Sequence, residues 1–151
     1  MEPYTKNIEV RWADLDPNFH MLHSKYYDLG AYCRMSFLVE KGITPAFMKQ
    51  NHLGPILFRE ECIFKREIGF EDKITINVKI QKINHDCSRW SMVHEIWKNE
   101  NTLAAVITCD GAWMDTKLRK LAIPPMEVQK TFEEAPKTDD FIFYKREETK
   151  T

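Results

Sequence analysis

Four side chains able to take part in acid–base or nucleophilic chemistry stand close together near the start of the chain: Asp14, Asp16, His20 and His23. A carboxylate can attack a carbonyl carbon or remove a proton from water, and a histidine can carry a proton near neutral pH. The surrounding pattern predicts that a long helix follows directly, with unpaired N–H groups and a positive dipole end at its start. Such a helix start stabilises an oxyanion, so the cluster favours acyl transfer to water.

The same residues also allow simpler interpretations. Asp14 or Asp16 could accept local N–H groups in an Asx turn, and Ser24 could be the helix N-cap. His20 and His23 could be ordinary turn residues. A metal site built from Asp16, His20 and His23 is a further alternative, but the spacing fits no single helix face and no fourth ligand is evident. We therefore expect neither a metal nor a cofactor.

Hydrophobic periodicity predicts the elements that position this cluster. Residues 24–41 form a long helix that ends before Gly42, and residues 44–52 and 126–134 form shorter ones. Alternating or continuous apolar residues predict five strands, at 8–12, 56–64, 74–81, 90–96 and 103–113. In the strand at 56–64, Ile56, Phe58, Cys62 and Phe64 are assigned to one face. The order of elements predicts an α+β fold.

The long helix is apolar around most of its circumference, so we expect it to be covered on most sides by a curved sheet or a second subunit. Arg34 lies opposite its polar stripe and needs a partner there. The sequence predicts that this partner is a carboxylate in a buried or interfacial salt bridge.

Composition places the chain among ordinary globular proteins. Its 151 residues fit one domain, expected over residues 1–135, with a charged tail at 136–151 that is either docked or mobile. With a net charge of −1, the chain has no excess of positive charge of the kind that binds nucleic acid. Four widely spaced cysteines favour reduced thiols. The N-terminus lacks a secretory pattern and no apolar run is long enough to insert into a membrane, so we expect a cytoplasmic protein.

The segment 10–26, followed by Arg34, resembles the opening motif of the 4-hydroxybenzoyl-CoA thioesterase family. That motif reads approximately aromatic-x-D-x-D-x-x-G-H-V-N-N-x-x-Y, with an arginine on the following helix. The matching positions are Asp16 for the catalytic aspartate, His20 for the motif histidine, His23 for the last asparagine, and Tyr26 and Arg34 for the helix residues. Two positions depart from the motif: Phe19 replaces its glycine and Leu22 its first asparagine.

The resemblance implies a hotdog fold, in which a curved antiparallel sheet of about five strands wraps around a long central helix. It implies an acyl-CoA thioesterase that works as a homodimer or homotetramer without a cofactor. Asp16 would be the nucleophile or general base, and His23 would bind the oxyanion through its N–H and orient water. We expect substrate contacts from four further residues: Phe19, His20, Leu22 and Tyr26.

Several points stay open at this stage. Phe58 and Trp90 are further candidates for the acyl pocket, and the CoA phosphates could be bound by any of Arg59, Lys65, Arg66, Lys73 and Arg89. The replacements at Phe19 and Leu22 also permit a non-catalytic acyl-thioester binder. A hotdog hydratase or dehydratase is a poorer match, because its D-x-N-P-x-H motif spaces the histidine differently from Asp16 and His20.

Overall fold

The computed structural model describes residues 3–145 and contains one sheet with a long helix packed against it. The helices are α1 (Lys25–Glu40), α2 (Pro45–Gln50) and α3 (Met126–Glu134). The strands are β1 (Thr5–Ile8), β2 (Leu53–Phe64), β3 (Ile74–Asn77), β4 (Lys79–Asn84), β5 (Arg89–Lys98), β6 (Thr102–Asp115), β7 (Lys120–Leu121) and β8 (Lys137–Tyr144). The three predicted helices and the α+β class are confirmed.

The eight-stranded sheet has five main strand positions. Strand β6 lies between β2 and β5, and β5 pairs with both β3 and β4, all antiparallel. β3 and β4 continue one another across Val78, whose N–H bonds to the carbonyl of Tyr4, just before β1, and which is left out of the pairing with β5. β1 pairs with β3 and β8 with β4, the latter in parallel. The prediction of about five strands therefore missed one break and the added strands β7 and β8.

Helix α1 buries one face against the sheet. Its buried residues recur at helical spacing: Tyr26, Gly30, Cys33, Arg34, Phe37 and Leu38. Gly30 allows close approach, because an added Cβ would lie 3.3 Å from His94 on β5. Tyr32 and Val39 remain exposed on the other side. Within one chain the sheet covers one face of the helix, so cover on most sides stays a prediction that depends on the second subunit.

Strand β2 departs from the predicted alternation. A β-bulge between Leu57 and Arg59 adds an extra residue, Phe58, and reverses which side chains face the helix. Ile56 therefore faces the opposite side of the sheet from Cys62 and Phe64, which corrects the single face assigned to these residues. β2 is also an edge strand, and it leaves apolar side chains exposed at Leu57, Phe58, Ile63 and Phe64.

The first strand also differs from the prediction. It covers Thr5–Ile8, whereas the following residues Trp12–Asp14 form a single 3-10 turn. The alternation of Val10 and Trp12 looked like a strand, but Asp14 accepts a hydrogen bond from the N–H of Arg11 and closes the turn instead.

The segment after residue 135 is docked as far as the structure describes it. Phe141 of β8 packs against the core, and Lys137 donates through Nζ to the carbonyls of Phe132, Glu133 and Ala135 at the end of α3. Residues 146–151 of the predicted tail lie outside the described residues. No helix within residues 3–145 is both long and apolar enough to cross a membrane.

All four cysteines are free thiols. Cys33, Cys87 and Cys109 are buried and Cys62 is partly buried. Burial raises the pKa of Cys33 and Cys87 to about 12 and that of Cys62 and Cys109 to about 11. The thiols are therefore protonated at neutral pH and serve as packing groups.

Candidate active site

Asp14 anchors the loop between β1 and α1. Its carboxylate accepts hydrogen bonds from the N–H, Nε and Nη2 of Arg11 at 2.9, 3.2 and 2.8 Å. These bonds and the guanidinium charge hold the pKa of Asp14 below its usual range. The carbonyl of Asp14 also accepts the N–H of Leu22. Asp14 is buried and fully engaged, so its role is structural.

Asp16 forms an Asx turn with one oxygen only. Its Oδ1 accepts the N–H groups of Asn18 at 2.9 Å and His20 at 3.2 Å. Backbone bonds from Phe19 to Asp16 and from Asp16 to His20 close the same turn. Within residues 3–145 its Oδ2 has no hydrogen-bond donor, so this oxygen is available for chemistry while the other fixes the position of the carboxyl group.

Phe19 keeps the backbone conformation expected of the glycine it replaces. Its φ of +63° lies in the left-handed region, which glycine enters without steric cost. The exposed Phe19 ring packs on Trp12 with 6.1 Å between ring centroids. The turn therefore survives the substitution, and the side chain points away from the cavity described below.

The start of α1 offers free backbone donors. The helix begins at Lys25, and the side chain of the N-cap residue Ser24 makes no capping bond. In the part of the chain that the structure describes, the backbone N–H groups of His23 and Ser24 bond to no acceptor. This is the arrangement that the sequence predicts for an oxyanion site.

A cavity of about 660 Å³ joins these groups. It is lined by Asp16, Asn18, His20, Met21, His23, Tyr26, Phe64, Lys65, Arg66, Glu67 and Lys98. Four of the predicted site residues, Asp16, His20, His23 and Tyr26, thus come together. Phe19 and Leu22 are absent from the lining, so their expected substrate contacts are not supported. The ring of Phe19 packs on Trp12. The backbone of Leu22 donates to the carbonyl of Asp14 and accepts from the N–H of Lys25 at the start of the helix.

Residues distant in sequence complete this cavity. Phe64 packs edge-on against Tyr26 with 4.9 Å between ring centroids, and Glu67 lies 3.1 Å from His20, joining Oε2 to Nε2. Burial raises the pKa of Tyr26 to about 12, so its hydroxyl stays protonated. Phe64 could have been suspected from its place at the end of a strand. Nothing near Lys98 in the sequence signals its presence in the cavity.

The cluster is not arranged as a metal site. Across residues 3–145, no group of three or more histidine, cysteine, aspartate or glutamate side chains is placed to bind a metal ion. His20 instead faces Glu67, and Asp16 uses one oxygen for its turn. The geometry therefore gives no support to the alternative metal centre of Asp16, His20 and His23.

A second cavity, of about 290 Å³, lies between the middle of α1 and the sheet. It is lined by Ala31, Arg34, Met35, Leu38, Pro55, Leu57, Trp90, Met92 and Trp113. Trp90, one of the acyl-pocket candidates, is here, whereas Phe58 packs under Arg89 elsewhere on the sheet. The two cavities share no lining residue and lie at opposite ends of β2.

Arg34 is buried at the edge of this second cavity, but its ion pair is weak. Its Nη2 lies 3.9 Å from Oε2 of Glu60, whereas its Nη1 is 3.1 Å from Nε2 of His94 and donates to Sγ of Cys109 at 3.3 Å. The predicted carboxylate partner exists, but the closest contacts of the guanidinium are to neutral groups.

Comparison with known proteins decides the family. The model of the thioesterase-like superfamily matches residues 10–132. The chain belongs to the thioesterase-like superfamily. No curated protein sequence matches this chain.

Solved structures show the fold of this thioesterase-like chain. Protein SAV2348 from Staphylococcus aureus, solved in complex with CoA, superposes with a TM-score of 0.80 at 16% identity, over 91% of this chain and 88% of that one. The 1,4-dihydroxy-2-naphthoyl-CoA thioesterase Slr0204 from Synechocystis gives 0.78 at 17%, over 88% and 97%. The gentisyl-coenzyme A thioesterase BH1999 gives 0.74 at 19%, over 85% and 98%. The predicted hotdog fold is confirmed.

Proposed function

We propose that this chain hydrolyses an acyl-CoA thioester to a free acid and CoA. One observation carries the proposal: Asp16, with its free carboxylate oxygen, and His23, with its unpaired N–H at the start of α1, border one cavity. A base or nucleophile and an oxyanion donor are the two groups that thioester hydrolysis requires. Membership of the thioesterase-like superfamily supports the same reaction class.

Asp16 acts in one of two ways. As a general base it removes a proton from water while the water oxygen bonds to the carbonyl carbon. As a nucleophile it forms an acyl–Asp16 anhydride that water then cleaves. In either case the carbonyl oxygen becomes an oxyanion that accepts the N–H of His23, and the C–S bond breaks to release CoA thiolate, which takes up a proton. The side chain of His23 orients the water or supplies that proton.

Release of CoA from a panel of acyl-CoAs, from acetyl to palmitoyl and aromatic, tests the reaction directly. Free thiol from at least one substrate supports hydrolysis. Binding without thiol release across the panel would indicate a non-catalytic binder. Loss of the ultraviolet absorbance of an enoyl-CoA without thiol release would indicate a hydratase. The binder alternative rested on the replacements at Phe19 and Leu22, and neither side chain lines the cavity.

The CoA phosphates are proposed to bind the cationic part of the same cavity. Lys65, Arg66 and Lys98 line it, whereas Arg59 of β2 lies outside and faces Glu61 and Asp110. Arg66 is exposed, and within residues 3–145 its guanidinium makes one intramolecular hydrogen bond, from Nη1 to the carbonyl of Lys65. A guanidinium with free donors suits a phosphate group.

Arg66→Ala is expected to raise KM for an acyl-CoA about fivefold, as befits the loss of one partly exposed charge pair. KM should stay unchanged for the same acyl group on pantetheine, which lacks the terminal nucleotide and its phosphates. Steady-state kinetics on both substrates measure the difference. Lys73→Ala, an exposed cation outside the cavity lining and outside the edge strand β2, is the control and should change neither KM. Equal shifts for both substrates in Arg66→Ala would contradict the phosphate contact.

A homodimer, or a tetramer built from it, is proposed to complete the site. Strand β2 is an edge strand with four exposed apolar side chains, and pairing with a second β2 would cover them. In one chain the two cavities lie near Phe64 and Leu57, about 23 Å apart along the strand at roughly 3.3 Å per residue. Antiparallel pairing about a two-fold axis brings the end of one β2 beside the start of the other.

This dimer places the reactive cavity of each subunit next to the second cavity of its partner. In this dimer the acyl group of the proposed substrate extends from the reactive cavity of one subunit into the adjacent second cavity of the other. It does not need to span the length of β2. The mass of one chain is 17.9 kDa. Sedimentation velocity is expected to give twice this mass for a dimer, or four times this mass for a tetramer. A stable monomer at the concentrations used for activity measurements would contradict this part of the proposal.

A further inference from the structure

The second cavity has an almost wholly apolar surface. Among residues 3–145, no carboxylate, amide, hydroxyl or imidazole side chain lines it. Six of its nine lining residues are alanine, leucine, proline or methionine, and the three others are Arg34, Trp90 and Trp113. What this cavity binds therefore depends on which atoms of these three residues border it.

The two tryptophans border the cavity with carbon atoms. Nε1 of Trp90 and Nε1 of Trp113 are fully buried, so neither nitrogen reaches the cavity surface. Both rings pack against Phe132 of α3, with 6.5 Å between ring centroids for Trp90 and 5.8 Å for Trp113. The indoles therefore contribute aromatic carbon surface and do not offer their N–H groups to a ligand.

The charged end of Arg34 contacts residues outside the lining. Its Nη1 lies beside His94 and Cys109, and its Nη2 lies 3.9 Å from Oε2 of Glu60. None of these three partners lines the cavity in the part of the chain that the structure describes. A long cationic side chain covers apolar surface with its methylene groups while its charged end is bound elsewhere. The cavity surface therefore stays apolar beside a buried cation.

An apolar space of this kind binds hydrocarbon and rejects polar groups. Each methylene that moves from water into it strengthens binding about three- to fourfold. A hydroxyl or carboxylate that enters loses its hydrogen bonds to water without replacement, which weakens binding roughly tenfold or more. The composition of the lining thus favours an acyl group whose far end carries no oxygen.

The position of the cavity favours a flexible chain over a ring. The reactive cavity and the second cavity share no lining residue. In the proposed dimer they meet where Phe64 of one subunit lies beside the partner's Leu57. A ring attached directly to the thioester carbonyl stays in the reactive cavity, whereas an aliphatic chain bends and passes from one cavity into the other.

We propose that the second cavity selects acyl-CoAs with an unsubstituted aliphatic chain of medium length. The inference rests on the proposed thioesterase function and dimer, and it extends them to the class of acyl group. At about 30 Å³ per atom, a volume of about 290 Å³ holds roughly ten carbon atoms of the chain. Ala31 and Met35, one helical turn apart on α1, are specificity-determining residues, because they line this space from the helix side.

The dependence of kcat/KM on chain length tests this selection, with saturated acyl-CoAs from butyryl to palmitoyl. We expect kcat/KM to rise about threefold per methylene and to peak between roughly eight and fourteen carbons, where the cavity is filled. 10-Hydroxydecanoyl-CoA should show kcat/KM at least about tenfold lower than decanoyl-CoA. A kcat/KM that does not rise with chain length, or equal values for the plain and hydroxylated chains, would overturn the proposal.

Met35→Gln places an amide in the lining with little change in size or helix propensity. It should reduce the preference for decanoyl-CoA over 10-hydroxydecanoyl-CoA several-fold. Met126→Gln, the same substitution at an exposed position of α3 outside the lining, is the matched control and should keep the wild-type preference. An unchanged preference in Met35→Gln, or an equal loss in Met126→Gln, would contradict selection by this cavity.

Ala31→Leu tests the same assignment if Met35→Gln folds poorly. The larger side chain fills part of the cavity, so the chain length with the highest kcat/KM should become shorter by about three carbons, the number that the substitution adds. A merely structural effect would lower kcat/KM for every chain length by the same factor, and that result would count against the assignment.

Binding separates this inference from the thioesterase proposal. Calorimetry with the thioether analogues of butyryl-, hexanoyl- and decanoyl-CoA, which cannot be hydrolysed, should show Kd falling as the chain lengthens. Length-dependent binding without hydrolysis of any thioester would support the cavity assignment and reject the enzyme. Hydrolysis with the same kcat/KM at every chain length would do the reverse.

Discussion

Asp16→Asn is expected to lower kcat for acyl-CoA hydrolysis about 100- to 10,000-fold, the usual effect of losing a general base. The amide cannot attack a carbonyl or accept a proton from water. The turn should persist, because the side-chain carbonyl of Asn can accept the N–H groups of Asn18 and His20 as Oδ1 of Asp16 does. Thiol-release kinetics and circular dichroism together measure the activity and the fold.

Two carboxylates nearby provide the controls. Asp28→Asn, on an exposed position of α1, should leave kcat within about twofold of wild type, as surface substitutions usually do. Asp14→Asn should act mainly on stability, because it weakens the hydrogen bonds that the buried Asp14 carboxylate accepts from the exposed Arg11 side chain. Wild-type turnover in a folded Asp16→Asn variant, on every substrate that the wild type hydrolyses, would remove Asp16 from the mechanism.

Gly111→Ala is expected to lower the free energy of unfolding by about 3 kcal/mol, at the upper end of overpacking effects. A Cβ at this position would lie 2.4 Å from the carbonyl oxygen of Ile56 and 2.5 Å from the ring of Trp90. Neither can withdraw easily, because the first is backbone in the paired strand β2 and the second is buried in the core. Thermal unfolding should show Tm about 10 °C lower.

The matched control is Gly69→Ala, where the nearest atom to the added Cβ is 3.7 Å away on the side chain of Asp72. Its Tm should stay within about 2 °C of wild type, since a strain-free substitution of glycine is neutral or mildly stabilising. Equal Tm values for wild type and Gly111→Ala would mean that the sheet adjusts around Trp90 more readily than its packing suggests.

Local patterns predicted the parts of this protein that depend on local structure. Stop signals such as Gly42 and the prolines at 124 and 125 predicted the bounds of α1 and α3 within a residue or so, and the cluster of Asp16, His20, His23 and Tyr26 does border one cavity. These residues lie in the loop before α1 and in the first turn of that helix. Their proximity was therefore set by the chain itself.

Features set by distant contacts escaped prediction. The bulge at Phe58 arises from pairing with β6, and it reversed the facing of the residues that follow. Lys98 enters the first cavity, and Trp113 the second, through strand register alone. Phe19 misled for a different reason: its backbone preserves the turn, while its ring packs on Trp12 outside the cavity. The comparison with the family motif identified Phe19 as an unusual residue, but it did not predict the direction of its side chain.

The raised pKa values of the cysteines have a practical consequence for enzymology. Disulfide reagents that detect free CoA react with thiolates, and the four cysteines here carry almost none at neutral pH. Three are also shielded by the fold, leaving Cys62 on the edge strand as the accessible one. Colour that develops on adding substrate therefore reports the CoA that is released, with little background from the protein's own sulfur.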